Sequence, residues 1–468
     1  MMLRGYIINL CLSLFSFGSL AMAATPIQEA TLNNGVRVLL MEAHNVPMVA
    51  MKLVMPAGSR FDAEGKAGTA TLLAGMLSDH TAKHDFTAWA DLLDADAIRL
   101  GAHAGRDGFN ISLTVLKDAL QPGLDALTES LLQPGWNTKR FAIMKQDSIA
   151  AAQKEKEEPG VQASAAGAAL LFANHPYGHR SSGSMESLAR IDLADLKTLY
   201  ARQIKPQGAV LAVSGDITMA ELLPLLNARL AHWTGKAAKG LNDIDKAKAV
   251  AGLQRDVALP TSQMLVQLLR LGPARNDSDF FPVFVLNHIL GGGGFGSRLM
   301  EEVREKRGLV YGVYSYFIPL AVPGSFVISL QTRADQAGQA EAVVRQVMAD
   351  MAAGKISNKQ FKASKENLIG SFAQRMDSNR ERVGLMAMIG MYHLPLDYLS
   401  RWTDRVGAVT LAQVKTQASK YLTPAQWNRV RVGPAAALKS APLKATPQKT
   451  TPQKAITPKK PVNHTITH

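Results

Sequence analysis

The stretch Leu193-Ala194-Asp195-Leu196-Lys197-Thr198 recurs as Leu411-Ala412-Gln413-Val414-Lys415-Thr416, and Pro206 recurs as Pro424, every pair 218 positions apart. One offset shared by several matches constrains the fold strongly, because repetition at long period is the mark of a folding unit built twice. Both copies also sit in the same context: an amphipathic helix, a proline, then a β-rich run, Ala209 to Ser214 in the first copy and Arg429 to Val432 in the second. The chain therefore reads as two related domains of roughly 200 residues each. An N-terminal domain is expected over 24–235 and a C-terminal domain over 253–435. The lysine-rich run Lys236 to Lys248, with Gly240 and Asn242, marks a linker over 236–252.

Local patterns make each unit a mixture of strands and helices. Leu32-Asn33-Asn34-Gly35 is a hairpin-type turn leading into a strand from Val36 to Leu40, and Met48 to Met55 alternates as a second strand. A helix is expected from about Ala67. Helical periodicity then covers Phe86 to Leu100, Leu116 to Leu132 and Asn137 to Lys156, stopping before Pro159, whose ring would clash with a preceding turn. Strands early, helices in the middle and a strand near the end predict an α+β fold, a mixed or antiparallel sheet with helices packed on one face.

The two ends differ in kind from the rest. Arg4, the apolar run Tyr6 to Leu20 and the small residues of Ala21-Met22-Ala23 make 1–23 an export signal, with cleavage before Ala24. About 15 apolar residues broken by Ser13, Ser16 and Gly18 fall short of the roughly 20 that span a bilayer, so no stable membrane anchor is expected. The expected location is the periplasm. Cys11 is the one cysteine and lies inside that signal, so the mature chain has no thiol for disulfides, zinc–thiolate sites or nucleophilic catalysis. At the other end, 436–468 reads as a disordered basic tail. Lys439 to His468 holds six lysines, five prolines and no acidic residue, and Thr446-Pro447-Gln448-Lys449 repeats as Thr451-Pro452-Gln453-Lys454. Arg4 and those lysines carry half of the net charge of +14, so the basic balance implies no nucleic-acid partner.

Several separated motifs resemble one family in the right order. His175-Pro176-Tyr177-Gly178, Gly183-Ser184-Met185-Glu186-Ser187-Leu188, Asp195-Leu196, Tyr200, Pro206 and Val213-Ser214-Gly215-Asp216 resemble the first half of the pitrilysin/insulinase peptidases. Leu290-Gly291-Gly292-Gly293-Gly294, Ser297-Arg298-Leu299 and Val303-Arg304-Glu305-Lys306-Arg307-Gly308-Leu309-Val310-Tyr311 resemble the second half, with its glycine-rich loop and the helix and strand after it. The resemblance spans about Ala30 to Gly433 and implies two domains that form half of a clamshell.

Active members of that family carry His-x-x-Glu-His on the first helix and a further glutamate ligand downstream. Two histidines and a glutamate hold a catalytic zinc with one position open for water, and the glutamate within the motif is the general base. The family pattern Gly-Leu-Ala-His-Phe-Leu-Glu-His-Met-Leu meets Gly68-Thr69-Ala70-Thr71-Leu72-Leu73-Ala74-Gly75-Met76-Leu77 here. Phe141 and Glu157-Glu158-Pro159 set the frame for the remaining ligand and put Ala151 in its place, 76 positions after Gly75. Thr71, Ala74, Gly75 and Ala151 thus replace both histidines, the base and the glutamate ligand. Ala and Gly offer neither a metal donor nor a proton acceptor, so no cofactor is expected in this chain. Two other histidine pairs, His80 with His84 and His175 with His179, have a four-residue spacing suited to a metal. The first falls in a polar stretch where solvated histidines are the commoner outcome, and Pro176 and Gly178 break the helical geometry of the second.

The second half keeps what the first has lost. In the family an Arg and a Tyr seven positions apart bind the substrate backbone near the scissile carbonyl, and Arg304 and Tyr311 match that spacing. Both are donors that can stabilise the oxyanion of a tetrahedral transition state. Without the family, Glu301-Glu302, Arg304-Glu305 and Lys306-Arg307 read as a solvated helix face, and Tyr311, Tyr314 and Tyr316 as alternation on a strand. Gly291 to Gly294 suggest a phosphate cradle, but no Lys-Ser/Thr follows, and a nucleotide site is rejected. The resemblance implies the non-metal subunit of a heterodimeric zinc peptidase: a homologous subunit carries the zinc, and this chain helps hold a peptide or unfolded segment. The alternative it leaves open is a non-catalytic structural or peptide-binding protein of the same fold.

Overall fold

The computed structural model describes residues 26–439; the expected export signal and almost all of the expected basic tail lie outside the described residues. In the first half the chain forms β1 (Gln28–Thr31), β2 (Arg37–Glu42), β3 (Met48–Met55), α1 (Thr69–Asp79), α2 (Phe86–Ala95), β4 (Arg99–Ala104), β5 (Phe109–Leu116), α3 (Leu120–Leu132), α4 (Thr138–Lys154), α5 (Pro159–Leu171), α6 (Met185–Arg190), α7 (Leu193–Gln203), β6 (Val210–Gly215) and α8 (Met219–Leu230). The second half forms β7 (Gln254–Ala258), β8 (Gln263–Leu271), α9 (Phe280–Asn287), β9 (Gly312–Phe317), β10 (Ser325–Arg333), α10 (Ala337–Ala352), α11 (Asn358–Gly370), α12 (Asn379–Met391), α13 (Trp402–Ala408), α14 (Leu411–Tyr421), β11 (Asn428–Gly433) and α15 (Ala435–Lys439). No described helix is long and apolar enough to cross a membrane.

The fold is α+β with two mixed sheets, ordered β1-β2-β6-β3-β5-β4 and β7-β11-β8-β10-β9. Removing β1 makes the two orders equivalent strand for strand. Each sheet has one parallel pair, β2 with β6 and β7 with β11, and is otherwise antiparallel. The 218-residue offset holds at atomic detail. Asp192 caps α7 through the amide of Asp195, and Thr410 caps α14 through that of Gln413, each in a reciprocal capping box. Lys145 Nζ donates to the carbonyls of Ala189 (2.8 Å) and Ile191 (2.7 Å), and Lys365 Nζ, 220 positions on, donates to those of Gly407 and Val409, each 218 positions on. Both lysines close a helix C-terminus whose carbonyls lack intrahelical partners.

Helices cover more than one face of each sheet. Own-half helices bury one face, with Val49, Met51, Leu53, Ile111 and Leu113 among the side chains they cover in the first sheet. The opposite face is covered by a helix from the other half. α12 lies over β6, β3 and β2 and buries Leu39, Ala50, Val54 and Val210, while α5 lies over β11, β8 and β7 and buries Leu265, Leu269, Val430 and Val432. A Cβ at Gly390 of α12 would collide with Val210 Cγ1, so the helix rests backbone-first on the sheet. Each half's own helices thus keep to one face of its sheet, as expected, and one helix from each half crosses to cover the other's opposite face.

The halves also meet at their hairpin tips. Asp107, between β4 and β5, is buried; its carboxylate accepts from Tyr177 OH (2.5 Å) and Arg60 Nη1 (3.2 Å) of the first half and from Tyr392 OH (3.0 Å) and Ala321 N (2.8 Å) of the second. Arg60 Nη2 donates in turn to the Gly240 carbonyl at 2.6 Å. Gln203 and the Lys239 backbone exchange hydrogen bonds, and the carbonyl of Asp245 meets His175 Nε2 at 2.8 Å. The irregular segment between the halves is thus pinned to the body.

Two local expectations change. The helical pattern over Phe86 to Leu100 stops at Ala95; Ala97 takes a left-handed φ of 52°, and the chain enters β4 at Arg99. Residues 435–439 form α15, so the tail expected from 436 starts inside a helix.

Candidate active-site surface

Thr71, Ala74 and Gly75 lie on α1, and Ala151 on the neighbouring α4. The Thr71 hydroxyl, the one polar group of the four, donates to the Ser181 carbonyl at 2.7 Å. Ala74 is buried in the first-half core. A Cβ at Gly75 would come within 2.5 Å of Met144 Sδ, so a thioether from α4 occupies the space that a histidine side chain would need. Ala151 is exposed and carries no donor. These residues do not fit a catalytic zinc, and among the described residues no group of three or more His, Cys, Asp and Glu side chains converges elsewhere.

The other histidines have structural partners. His80 is buried rather than solvated: Nδ1 lies 2.9 Å from Asp79 Oδ2, and Nε2 accepts from the Asn137 amide at 3.3 Å. His84 Nδ1 pairs with Glu129 Oε1 at 2.7 Å. His175 Nδ1 accepts from the Tyr177 amide at 3.1 Å, capping a short turn. Burial lowers the imidazole pKa of His179, with lesser contributions from its other neighbours.

Arg304 and Tyr311 come together from two elements. Residues 288–292 and 300–305 wind as π-helix. Gly308 then reverses the chain with a φ of 60°, its amide donating to the Arg304 carbonyl at 2.8 Å. Tyr311 follows one residue before β9. The Arg304 guanidinium carbon lies 5.3 Å from the Tyr311 ring centre and 4.8 Å from that of Phe295, so the cation is attracted by two aromatic faces. Tyr311 is 88% exposed and Phe295 71%. Of the neighbouring charges, Glu302 pairs with Lys306 (2.7 Å) and Arg307 (2.7 Å), whereas Glu305 is 3.7 Å from Arg304. The solvated-face reading therefore describes Glu302, Lys306 and Arg307, and Arg304 is turned to the rings.

The sequence reading did not single out Phe295, although an aromatic side chain between Gly294 and Gly296 in a glycine-rich loop is a signal that could have found it. The glycines serve close packing: a Cβ at Gly291 would lie 2.5 Å from Ser315 N, so this segment covers the outer edge of β9. Tyr314 and Ile318 extend the exposed apolar surface along β9. A partly exposed guanidinium, 3.7 Å from the Glu305 carboxylate, and an exposed phenol, held beside one another, form a surface that can donate to the carbonyl oxygen of a peptide backbone.

Comparison with known proteins follows the same division. The family profile described as insulinase (peptidase family M16) matches residues 37–168, and the one described as peptidase M16 inactive domain matches 190–368. The non-peptidase homolog YmxG of Helicobacter pylori is 25% identical over 418 residues, 88% of this chain and 94% of that protein. An uncharacterized zinc protease of Mycobacterium leprae is 23% identical over 419 residues, 88% and 93% of the two chains. Among solved structures, a peptidase M16 inactive domain from Pseudomonas fluorescens matches with a TM-score of 0.83 and 33% identity, over 87% of this chain and 98% of that one. A protease from Helicobacter pylori shares the fold, with a TM-score of 0.81 and 19% identity over 88% and 100%.

Proposed function

Since the chain belongs to the insulinase, or M16, peptidase family, we propose that it is the metal-free subunit of a two-subunit peptidase, holding a peptide for a homologous zinc-carrying partner. The observation that carries this reading is the asymmetry between the halves. The metal positions hold Thr71, Ala74, Gly75 and Ala151, while on the other half a partly exposed Arg304 stands beside an exposed Tyr311. In the complex Arg304 and Tyr311 would donate to the carbonyl oxygen at the scissile bond, and the partner would supply the metal. Peptides or unfolded segments in the periplasm are the substrates this reading implies.

The test is a titration of the mature chain with a homologous subunit that has an intact His-x-x-Glu-His, following peptide cleavage and bound zinc. Cleavage should rise to a plateau near one-to-one, with zinc on the partner alone, and Arg304→Ala should lower turnover by about 100-fold. Stoichiometric zinc and cleavage in the isolated chain would sink the proposal. The second reading, a peptide-binding protein without catalysis, is favoured by the inactive-domain match to 190–368 and by the relative named as a non-peptidase homolog. It takes over if neither subunit changes the activity of the other.

A further inference from the structure

Beyond α12 and α5, part of each sheet's face stays accessible: Arg99 and His103 of β4 with Ser112 of β5 in the first, and Tyr314 of β9 in the second. These parts flank the joined hairpin tips at Asp107, so they form two walls that meet there. Strand register fixes what each wall displays. On the first, Lys52 lies opposite Ser112 and Ser112 opposite Gly101, with Arg99 opposite Thr114 and His103 opposite Asn110 in the rows on either side. On the second, Tyr314 lies opposite Ser329 and Gly312 opposite Gln331, while Val327, opposite Tyr316, is buried.

The charges on these walls have one sign. Strands β3, β4, β5, β8, β9 and β10 contain no Asp or Glu. Arg380, on the first turn of α12, adds a further cation beside Lys52. Among the described residues, none of Lys52, Arg99, His103 or Arg380 has an ion pair within 4.0 Å; the salt bridges all lie elsewhere, Arg333 with Asp335 among them. Burial, and after it Arg380, lowers the pKa of the Lys52 ammonium; burial, and after it Lys52, lowers that of His103. Lys52 is partly buried, and Arg99 and Arg380 are exposed; these cations, gathered without a counter-charge, repel one another and attract an incoming anion, while His103, its pKa lowered, is a neutral hydrogen-bonding group at neutral pH. Gly101 leaves open space between Arg99 and His103.

We infer that the accessible wall of the first sheet is a carboxylate-binding subsite, where Lys52 and Arg380, flanked by Arg99 and His103, seat acidic side chains of the bound peptide. The inference rests on the reading that this chain holds peptide. It adds the class: segments rich in Asp and Glu. Close charge pairs at interfaces couple by roughly 1.5 kcal/mol or more, which corresponds to about tenfold in affinity.

The experiment measures fluorescence anisotropy of two labelled peptides of equal length on the mature chain, one with Asp and Glu and one with Asn and Gln in their places. The acidic peptide should bind about tenfold tighter or better, and both Arg380→Gln, at an exposed site, and Lys52→Gln should remove that preference while circular dichroism stays unchanged. A full-length variant with the tail lysines Lys444, Lys449, Lys454, Lys459 and Lys460 changed to Gln separates the subsite from the tail. If the preference vanishes in that variant and survives Arg380→Gln, the subsite is wrong. Equal binding of the two peptides overturns the charge selectivity and leaves the peptide-holding reading standing. Binding of neither overturns both.

Discussion

Met144 and Gly75 show how a metal site closes. Losing ligands alone would leave a polar hollow; here a flexible thioether fills the space beside a residue with no side chain, the kind of gap that methionine suits. Asp62 sits at the start of the same helix, accepting from the amides of Gly68 and Ala70, each at 2.8 Å. Burial pushes its carboxyl up to about 7, against the pull of those amides. For an acid whose folded pKa is raised, the favourable contribution is complete below the unfolded value of 3.8 and is lost as pH rises through about 7. Asp62→Asn should therefore gain on the wild type by up to ~4 kcal/mol between pH 4 and 7, read from denaturant unfolding at each pH; a pH-independent difference would refute it. The pair Arg304 and Tyr311 was legible in the sequence because its spacing stands in a long motif. The ring of Phe295 beside the guanidinium was not, since this contact joins a loop to a helix and leaves no periodic trace.

At the level of elements, repetition was the informative signal. The offset that relates α7 to α14 also relates β6 to β11 residue for residue, and β3 occupies the stretch its alternation marks. β4 was hidden because Arg-Leu-Gly-Ala-His-Ala has little β preference and adjoins a genuine helix. Helix exchange was hidden for a different reason: an apolar stripe says that a helix is covered, and is silent about which sheet covers it. Met386 and Ile389 of α12 are buried in the core that joins the halves, each contributing roughly 2 kcal/mol. Gly390→Ala should push α12 off Val210 and cost about 1–3 kcal/mol, seen as a lower Tm. An unchanged Tm would mean that the helix is free to shift.

For the whole molecule, exchange and the Asp107 cluster make two similar halves one cooperative body. Asp107 is buried and accepts from Tyr392 OH and Ala321 N of the second half, and a buried acceptor left without its donors typically costs about 1–3 kcal/mol. Separating the halves would break that cluster and bare both sheet faces. Calorimetry of the mature chain should show a single transition with matching calorimetric and van't Hoff enthalpies; two resolved transitions would contradict it. The same exchange sets an order of events during synthesis. β2, β3 and β6 are complete at Gly215, yet the helix that seals Leu39, Ala50, Val54 and Val210 begins at Asn379. Contacts so distant along the chain form slowly, and an apolar face left bare in the meantime invites aggregation. A nascent first half thus keeps that apolar face bare until synthesis has passed Met391, about five-sixths of the way along the chain.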